Sequence, residues 1–542
     1  MEDSDICIVS GKEYERVLNV LQIFLRKNEN TFTFPSLMEN NRRITLWAAL
    51  FDKLQDESAK LVHFVCLATL RVLSRDKTDI DNLVCEKWII TLIDKAGLYI
   101  SNDPEGTDAL PSKEIAVESL KCLCNIAFNS EVARALCAHT NIAQGLINRS
   151  YKDIQYKDDI MLYDIKLLFI LTALRQDIRV SLKSELCGMN HLLNCLNDVL
   201  MEKVPISSSP LDDTPAVTSQ HVLNENRQAI VCEILKTQFN MLYHLGSEES
   251  VSPEDEAMYL KLMPLLTFLL RAETHEKSME LLSNVANLLT SIPAPFYKYL
   301  TPELIEGQTS KHIYDGRNME ALYTLLQLLQ HRLAITTGTS NQYENLSPIL
   351  TVLNKSSRNI SYHRKYFRQI VLPPLRDVHS PPEKGNTLRN QLCRLLTSPI
   401  TSVRDLVAEF LFILCKEKVG RMVKYTGFGN AAGHLAHKGL MSGGQGPVQY
   451  SSSSEDSDTE EYLEAQPNID PVVGCTRPPR VNPFEGMTEE QKEYEAMKLV
   501  NLFDKMVSEG IVKPATIGPD GKPKPVDHVL EFRENAPNRP QS

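Results

Sequence analysis

Asparagines recur at a fixed position within the apolar stretches of this chain. Four times an apolar residue lies five positions before an asparagine: Leu120 and Asn125, Leu235 and Asn240, Leu282 and Asn287, Ile349 and Asn354. Apolar helices repeated every ~40–47 residues are typical of armadillo and HEAT proteins, whose units bury their apolar faces against each other. We therefore predict an all-α, right-handed superhelical solenoid of the armadillo or HEAT type, with a curved binding surface. Its asparagine amides should bond backbone groups left free where helices meet.

The character of the chain changes along its length and indicates four parts. Residues 1–425 carry the helical pattern, with roughly eight or nine repeats, and should contain no sheet. Residues 426–487 are rich in glycine, then in acidic residues and serine, then in proline, and should form a mobile linker. Residues 488–510 predict one more helix, and residues 511–542 a disordered tail. A chain cut near residue 425 should keep the repeat fold, because a solenoid is a sum of local units.

Three polar stretches interrupt the repeats and are predicted to be insertions. They are residues 203–221, 293–318 and 336–345. The final helix has a strong start signal, since Thr488 and Gln491 form a capping box. One apolar stripe comes after it at helical spacing: Ala496, Val500, Phe503 and Val507.

Composition restricts the class of protein. Mean hydropathy is −0.22, and the start of the chain is acidic where a signal peptide would be basic. The apolar runs are shorter than the ~18–20 residues that a membrane helix needs. We expect a cytoplasmic monomer that does not insert into a membrane. A net charge of −11 argues against nucleic acid as a partner.

Twelve cysteines fit a reducing compartment. Six of them lie in apolar helical patterns, where a free thiol acts as a small apolar group. These are Cys66, Cys122, Cys124, Cys232, Cys393 and Cys415. We predict that these thiols are buried and structural.

Two arginines are candidates for binding an anion. Arg71 and Arg75 lie four residues apart in LRVLSRDK, and therefore on one helix face. Two guanidinium groups on one face can hold a carboxylate or a chain terminus with bidentate bonds. Alternatively, the two arginines only interact favourably with the helix dipole at a C-terminus, and the spacing alone favours this interpretation. Asn125 and Asn129 show the same spacing and leave the same choice open.

Other motifs carry little chemistry. Gly427, Gly429 and Gly433 follow a helical pattern, which favours a helix end and tight turn over a phosphate-binding loop. His434 and His437 lack acidic or cysteine partners in sequence, so no metal or other cofactor is expected. The sequence shows no hydrolase, Walker A or kinase motif, and we expect no covalent catalysis.

A serine cluster precedes the acidic stretch. Ser452, Ser453 and Ser457 each have an acidic residue three positions later, which is the pattern read by acidophilic kinases of the casein kinase type II. Phosphates would add about −1.5 to −2 charges each and could dock the segment onto basic residues of the repeats. Without phosphate it would be a solvated acidic linker.

Several stretches together resemble the synembryn family, the cytosolic chaperones and nucleotide-exchange factors for heterotrimeric G-protein alpha subunits. They are LRVLSRDK (70–77), ESLKCLCNIAFNS (118–130), VLPPLRDV (371–378), AEFLFILCKEKV (408–419), KYTGFGNAAG (424–433), SDTEEY (457–462) and MTEEQKEYEAMKLVNLFDK (487–505). The resemblance covers nearly the whole chain in one order. Departures fall in the insertions and after Lys505.

The resemblance implies a superhelix whose concave face holds the C-terminal helix of an alpha subunit. In the family the arginines of LRVLSRDK and the asparagine of KCLCN contact that terminus, which here implies Arg71, Arg75 and Asn125. The protein would favour the nucleotide-free state by differential binding and release its partner when GTP binds. The same grip on a half-folded subunit would make it a chaperone.

The resemblance also assigns roles to the C-terminal parts. The family's last helix holds the GTPase domain, which here points to Met497, Val500 and Phe503. Phosphorylation of the acidic segment favours the active form, and Ser452 and Ser457 are the nearest equivalents. The partner could recruit the protein to the cell cortex or plasma membrane.

Two other functions remain open from sequence. A GTPase-activating protein would need an exposed arginine that reaches a nucleotide. An armadillo adaptor or scaffold, such as a nuclear-import carrier, would bind basic peptides with an acidic groove, which the charge of Arg71 and Arg75 disfavours.

Overall fold

The computed structural model describes residues 1–98, 111–149, 151, 157–201, 223–242, 251–272, 279–305, 309–335, 341–447, 450, 458–476, 484, 486–512, 515–517 and 523–525. The predicted loop at 203–221 therefore lies wholly outside the described residues, as do Ser452, Ser453 and Ser457. Contacts divide the chain into two compact units, one of residues 1–467 and 471–475 and one of residues 468–470 and 476–542.

The regular structure is helical, with six short strands in the described ranges. The first half contains α1 (Asp3–Ser10), α2 (Tyr14–Lys27), α3 (Arg42–Gln55), α4 (His63–Leu73), α5 (Glu86–Lys95), α6 (Lys113–Asn129), α7 (Glu131–His139), α8 (Ile142–Asn148), α9 (Lys157–Leu174), α10 (Gln176–Ser184), α11 (Gly188–Met201) and α12 (Glu225–Leu242).

The second half contains α13 (Pro253–Arg271), α14 (Met279–Ser291), α15 (Glu320–Ile335), α16 (Gln342–Asn359), α17 (Ser361–Val371), α18 (Leu388–Leu395), α19 (Thr401–Leu414), α20 (Val419–Thr426), α21 (Phe428–His437), α22 (Glu460–Ala465) and α23 (Glu489–Ser508). The strands are β1 (Ile313–Tyr314), β2 (Arg317–Asn318), β3 (Ile469–Asp470), β4 (Cys475–Thr476), β5 (Ala515–Ile517) and β6 (Pro523–Pro525).

One row of helices runs through the first unit, and we call it the central row. Its described members, each packed on the next, are α2, α4, α6, α9, α12, α14, α16 and α19. Helices such as α3, α5, α11, α13 and α15 cover it. Because a row helix is covered by neighbours on several sides, apolar residues occur around much of its circumference, as in α9, where nine residues are buried. The predicted all-α solenoid is confirmed.

The repeated asparagines join helices of this row. Asn125 on α6 donates its Nδ2–H to the carbonyl of Arg71 on α4, at 3.1 Å. Asn240 on α12 donates to the carbonyl of Phe169 on α9, at 3.3 Å, and Asn354 on α16 to that of Leu406 on α19, at 3.0 Å. Asn287 on α14 makes no such bond to a residue in the described ranges. The asparagine register thus has a structural cause at three of its four positions.

The prediction of no sheet before residue 425 is wrong at one place. Strands β1 and β2 form an antiparallel hairpin, with Ile313 opposite Asn318 and Tyr314 opposite Arg317. Between them, Asp315 and Gly316 have φ of 51° and 70°, which suits a two-residue turn of type I′. The Asp-Gly pair was the sequence signal for this hairpin. At the third predicted insertion, α16 already begins at Gln342.

The packed helices extend past the predicted boundary near residue 425. Helix α21 packs on α19 and α20 and buries Ala431 and Leu435. His434 of α21 lies against the ring of Phe412 on α19, with ring centroids 5.2 Å apart. Residues 428–437 are therefore part of the helical array, because α19 needs an apolar cover at its last turn.

The second unit contains α23 and the pair β5–β6, whose antiparallel register joins Thr516 to Lys524. The predicted capping box is present, because the Thr488 side chain accepts from the Gln491 amide and the Gln491 side chain from the Thr488 amide. Helix α23 buries none of its residues. The expectation of a disordered tail is wrong at residues 515–517 and 523–525, because these residues pair with each other.

The six cysteines predicted to be buried are all buried and free of disulfides. Burial raises the pKa of the Cys66 and Cys393 thiols to about 12, so they stay protonated and inert. Among the helices of the described chain, every one is too short or too polar to cross a bilayer.

Candidate functional site

The predicted basic pair lies at the C-terminal end of α4 in the central row. Arg71 occupies the last turn of α4, while Arg75 comes two residues after the helix ends at Leu73. Both side chains are half-buried. Burial and the charge of neighbouring Arg71 lower the pKa of Arg75 from its ordinary value. We call Arg71, Arg75, Glu118, Lys121 and Asn125 the arginine site.

Arg71 contacts a carboxylate from the next helix of the row. Its Nε lies 2.7 Å from Oε2 of Glu118 on α6, and Nζ of Lys121 lies 2.7 Å from Oε1 of the same residue. The Glu118 side chain is only 8 % exposed, whereas that of Arg71 is 28 % exposed. One nearly buried carboxylate therefore holds two cations whose outer atoms face solvent.

Arg75 is held differently, by main-chain oxygens and a ring. Its Nη1 donates to the carbonyl of Glu29 at 2.6 Å, and its guanidinium lies 5.5 Å from the ring centroid of Phe32. The same loop is pinned by Asp76, which accepts from the amide of Phe34 at 2.8 Å. Arg75 thus has no carboxylate at ion-pair distance in the described part of the chain, and the charge of the nearby Glu29 offsets its positive charge only in part.

The two asparagines of α6 close the end of α4. Asn125 bonds the carbonyl of Arg71, and Asn129 donates to the carbonyl of Ser74 at 2.8 Å. Carbonyls at a helix C-terminus lack partners within the helix, so these bonds satisfy them. The amide group of Asn125 has a second N–H and its oxygen left for a ligand. The structural role that the sequence suggested for Asn125 is present, and its ligand role stays a prediction.

One aromatic residue of α9 contacts the arginine site, and a second contacts a lysine further along the central row. Lys121 lies 5.2 Å from the ring centroid of Tyr163, and Lys236 of α12 lies 5.1 Å from that of Phe169. Both rings are half-buried. Beside the arginine site and further along the row, these rings could contact apolar side chains of a ligand.

Sequence reasoning overlooked Glu118 and Lys121, although a signal was present. The pattern E-x-L-K-x-x-x-N occurs at 118–125 and again at 233–240. In both copies the glutamate and lysine form an ion pair one turn apart, since Lys236 lies 2.7 Å from Glu233. The internal repeat therefore extends beyond the asparagine.

The predicted second contact lies on α23. Met497 and Phe503 are exposed, by 65 % and 41 %, and Val500 is half-buried. At 100° per residue, Val500 and Phe503 share the stripe of Ala496 and Val507, and Met497 borders it. Leu499 and Leu502 widen this apolar face. It could hold an apolar surface of a partner.

The segment around the serine cluster is attached to the first unit on both sides. Before the cluster, the hydroxyl of Tyr450 donates to Glu417 at 3.0 Å, and its ring centroid lies 4.3 Å from the Arg364 guanidinium. After it, Asp458 bonds Lys424, and Thr459 caps α22 while its hydroxyl bonds the carbonyl of Leu375. The three predicted phosphorylation sites themselves lie outside the described ranges.

The glycine motif is a helix end and turn, as predicted. Gly427 has φ of +75° and separates α20 from α21. The amides of Phe428 and Gly429, at the start of α21, donate to the carbonyls of Pro471 and Val472 at 2.8 and 2.9 Å. A Cβ on Gly427 would come 2.8 Å from the carbonyl oxygen of Val473. These amides are occupied by the chain itself, so they are not available to a phosphate.

His434 and His437 do not lie in a metal-binding group. Burial lowers the pKa of His434, despite the nearby carboxylate of Glu409. Within the described ranges no three residues among histidine, cysteine, aspartate and glutamate come together as metal ligands would.

Comparison with known proteins identifies relatives along the whole chain. A family profile described as guanine nucleotide exchange factor synembryn matches residues 66–522. Chaperone Ric-8A of Gallus gallus is 40 % identical over 99 % of this chain and 98 % of its own length. Chaperone Ric-8 of Drosophila melanogaster is 34 % identical over 99 % of both chains, and Chaperone Ric-8A of Mus musculus is 37 % identical over 94 % and 93 %.

Among solved structures, one match comes from work on a phosphorylation switch in the interaction between cadherin and beta-catenin. It has a TM-score of 0.44 at 11 % identity and covers 77 % of this chain and 60 % of that chain, less than two thirds of its length. The profile and the full-length relatives decide the family. This chain belongs to the synembryn family of chaperones and guanine nucleotide exchange factors.

Proposed function

We propose that this protein is a chaperone and non-receptor guanine nucleotide exchange factor for heterotrimeric G-protein alpha subunits. It binds the GDP-bound or nascent subunit through its C-terminal helix, stabilises the nucleotide-free state and releases the subunit when GTP binds. The observation that carries this proposal is the arginine site, where Arg71 and Arg75 are positioned on the central row without being fully neutralised. Membership of the synembryn family supports it.

The chemistry of the site suits the end of a chain. A terminal carboxylate carries one negative charge and two acceptor oxygens, which match the planar fork of an arginine. Glu118 pairs with Arg71 and Lys121 but not with Arg75, so Arg75 supplies a further positive charge for the carboxylate. The half-buried rings of Tyr163 and Phe169 suit the apolar residues that precede the terminus in an amphipathic helix.

Exchange results from differential binding and needs no covalent step. Holding the C-terminal helix away from its GTPase domain stabilises the subunit in the state without nucleotide. By linkage, GTP must then weaken the grip by the same factor by which the grip weakens GTP binding. A subunit that has not finished folding gains stability from the same contact, which is chaperone action.

Further parts of the proposal concern the C-terminal half. The exposed face of α23, with Met497, Val500 and Phe503, contacts the GTPase domain. A casein kinase of type II phosphorylates Ser452, Ser453 or Ser457 and raises activity. The protein acts as a cytoplasmic monomer and reaches the cell cortex or plasma membrane through its partner.

Charge reversal at the arginine site tests the proposal. Arg71→Glu with Arg75→Glu places negative charge opposite the carboxylate, and each lost charge-assisted bond costs about 1.5–3 kcal/mol. Binding to purified alpha subunits and the rate of GDP release should both fall at least about tenfold. The matched control is Arg42→Glu with Arg271→Glu, which changes net charge equally and breaks ion pairs with Asp3 and Glu320 on helices outside the central row.

The outcomes separate the alternatives. If the variant of Arg71 and Arg75 loses binding and melting temperature together, and the control variant loses both to the same extent, the two arginines have a structural role only. If the protein binds alpha subunits but leaves GDP release unchanged, it is an adaptor or scaffold. If it accelerates phosphate release instead, it is a GTPase-activating protein.

A further inference from the structure

Glu118 is a nearly buried carboxylate with both oxygens engaged by cations. Oε2 accepts from Nε of Arg71, and Oε1 from Nζ of Lys121, each at 2.7 Å. Such a group holds its partners more firmly than an exposed ion pair does, because solvent screens it less. With two cations and one anion, the cluster keeps one net positive charge.

The bond to Glu118 uses only one edge of the Arg71 guanidinium. The donor is Nε, while Nη1 and Nη2 make no hydrogen bond to any residue in the described ranges. These two groups carry four of the five N–H donors of an arginine. Glu118 therefore restricts the orientation of the side chain and leaves its outer edge for another acceptor.

The second copy of the motif shows what the glutamate does without an arginine. Glu233 occupies the position of Glu118, and its Oε1 bonds Lys236 at 2.7 Å. Its Oε2 is buried and has no partner in the described part of the chain. Where the asparagine of the first copy bonds the carbonyl of Arg71, that of the second copy bonds the carbonyl of Phe169. The glutamate–lysine pair is thus common to both copies, and the arginine contact is special to the first.

We propose that Glu118 is a positioning residue of the arginine site, which orients Arg71 so that its outer edge receives the terminal carboxylate of the partner. This inference rests on the proposed function. The opposite role, in which Glu118 occupies Arg71 and competes with the ligand, predicts the reverse effect of removing it. Glu118 brings a negative charge into the site. The positive charge of Lys121 offsets it, so the site keeps the positive charge that the ligand needs.

The test compares two forms of one probe, a labelled peptide of the last ten or so residues of an alpha subunit, with a free carboxylate or a terminal amide. Fluorescence polarisation gives the ratio of their dissociation constants, which measures recognition of the carboxylate. In the wild-type protein the peptide with the free carboxylate should bind at least about tenfold more tightly than the amide. This ratio corresponds to the free energy of one charge-assisted hydrogen bond. Glu118→Ala should reduce this preference to about threefold or less.

Two variants serve as controls in the full-length protein. Glu118→Gln keeps the length of the side chain and one acceptor oxygen, so it should restore part of the preference. Glu233→Ala removes the matching glutamate–lysine pair together with its unpartnered oxygen, so it should lower the melting temperature by no more than Glu118→Ala does and leave the preference unchanged.

The results distinguish the inference from the function on which it rests. If the wild-type protein binds neither peptide, or both equally, the proposed carboxylate contact itself is wrong. If the wild-type preference exists but Glu118→Ala keeps it, or binds the free acid more tightly, the positioning role is overturned. Equal loss of preference in Glu233→Ala would also overturn it, because the effect would then be one of general stability.

Discussion

Helices α6 and α23 both contain runs that resemble the synembryn family, yet they are held in opposite ways. Helix α6 buries ten of its 17 residues and forms no side-chain cap at Ser112. Helix α23 buries none of its 20 residues but has a complete capping box and ion pairs one turn apart, Lys492 with Glu489 and Lys498 with Glu495. One helix is stabilised by its neighbours and the other by its own local interactions.

This difference indicates where binding and stability reside. In α6 an apolar side chain such as Leu120 is a packing element, and changing it disturbs the row. In α23 an apolar side chain such as Phe503 contributes little to the fold, because it stays in contact with water. Apolar surface that the fold does not use is available for a partner.

The largest expected effect comes from shortening the chain, and we compare two shortened forms. A chain that ends at residue 425 loses α21, with buried Ala431 and Leu435, and uncovers Phe412 of α19. We expect a loss of about 3–6 kcal/mol of unfolding free energy near that end, since each large apolar side chain contributes about 1.5–3 kcal/mol. This revises the expectation from sequence that such a chain keeps its repeats intact.

The matched control ends at residue 487 and removes only α23 and the residues after it. Its thermal melting, followed by circular dichroism, should resemble that of the full chain. Equal melting of the two shortened chains would show that α21 is not part of the packed array.

Single substitutions in the two helices should separate stability from binding. Leu120 is fully buried, so Leu120→Ala should cost about 2–5 kcal/mol of stability. Phe503→Ala should change stability by less than about 0.5 kcal/mol but slow GDP release from the alpha subunit. Denaturant unfolding and an exchange assay measure the two quantities. A large loss of stability in Phe503→Ala would mean that α23 is packed in solution.

Acid should weaken the solenoid through His363. This side chain is fully buried, with Nε2 2.7 Å from the Thr301 hydroxyl and Nδ1 2.7 Å from that of Ser356. Burial, and then the charge of Arg317, lowers its pKa to about 3. The unfolded chain therefore binds more protons between pH ~3 and ~6.5, so stability is complete above ~6.5 and falls by about 1.4 kcal/mol per unit below it.

The measurement is the slope of unfolding free energy between pH 6 and 5, which His363→Asn should reduce. Exposed His139, paired with Glu86, provides the control His139→Gln, which should keep the slope. The chain ending at residue 487 should also keep it, because it retains His363 with its partners Thr301 and Ser356. An unchanged slope in His363→Asn would assign the acid sensitivity to other groups.

The smallest effect concerns the cap of α23. Thr488→Ala removes half of the capping box and should cost about 1 kcal/mol of local helix stability. Amide hydrogen exchange in the first turn of α23 should accelerate several-fold while the melting temperature of the chain stays the same. Faster exchange in α6 as well would show that the two regions are coupled.

Much of the local structure could be read from sequence because short-range physics determines it. The capping box needs only Thr488 and Gln491, three residues apart, and the turn at Gly427 needs only a residue that tolerates positive φ. The apolar spacing that predicted the row helices is equally local. The shared repeat position of Asn125 and Asn240 could also be found from sequence, because equivalent contacts place the same residue type at the same position of each repeat.

Contacts between distant residues were decided by the tertiary structure alone. Glu118 meets Arg71 across 47 positions, and the cover of α21 on α19 depends on how the last helices stack. Spacing placed Arg71 and Arg75 together but did not show that one is paired with a carboxylate and the other with main-chain oxygens. An apolar stripe has the same sequence pattern whether its helix is packed or exposed. The sequence therefore predicted that α23 exists, and only the fold showed that none of its residues is buried. Burial is a property of neighbours, and neighbours far apart in sequence are brought together only by folding.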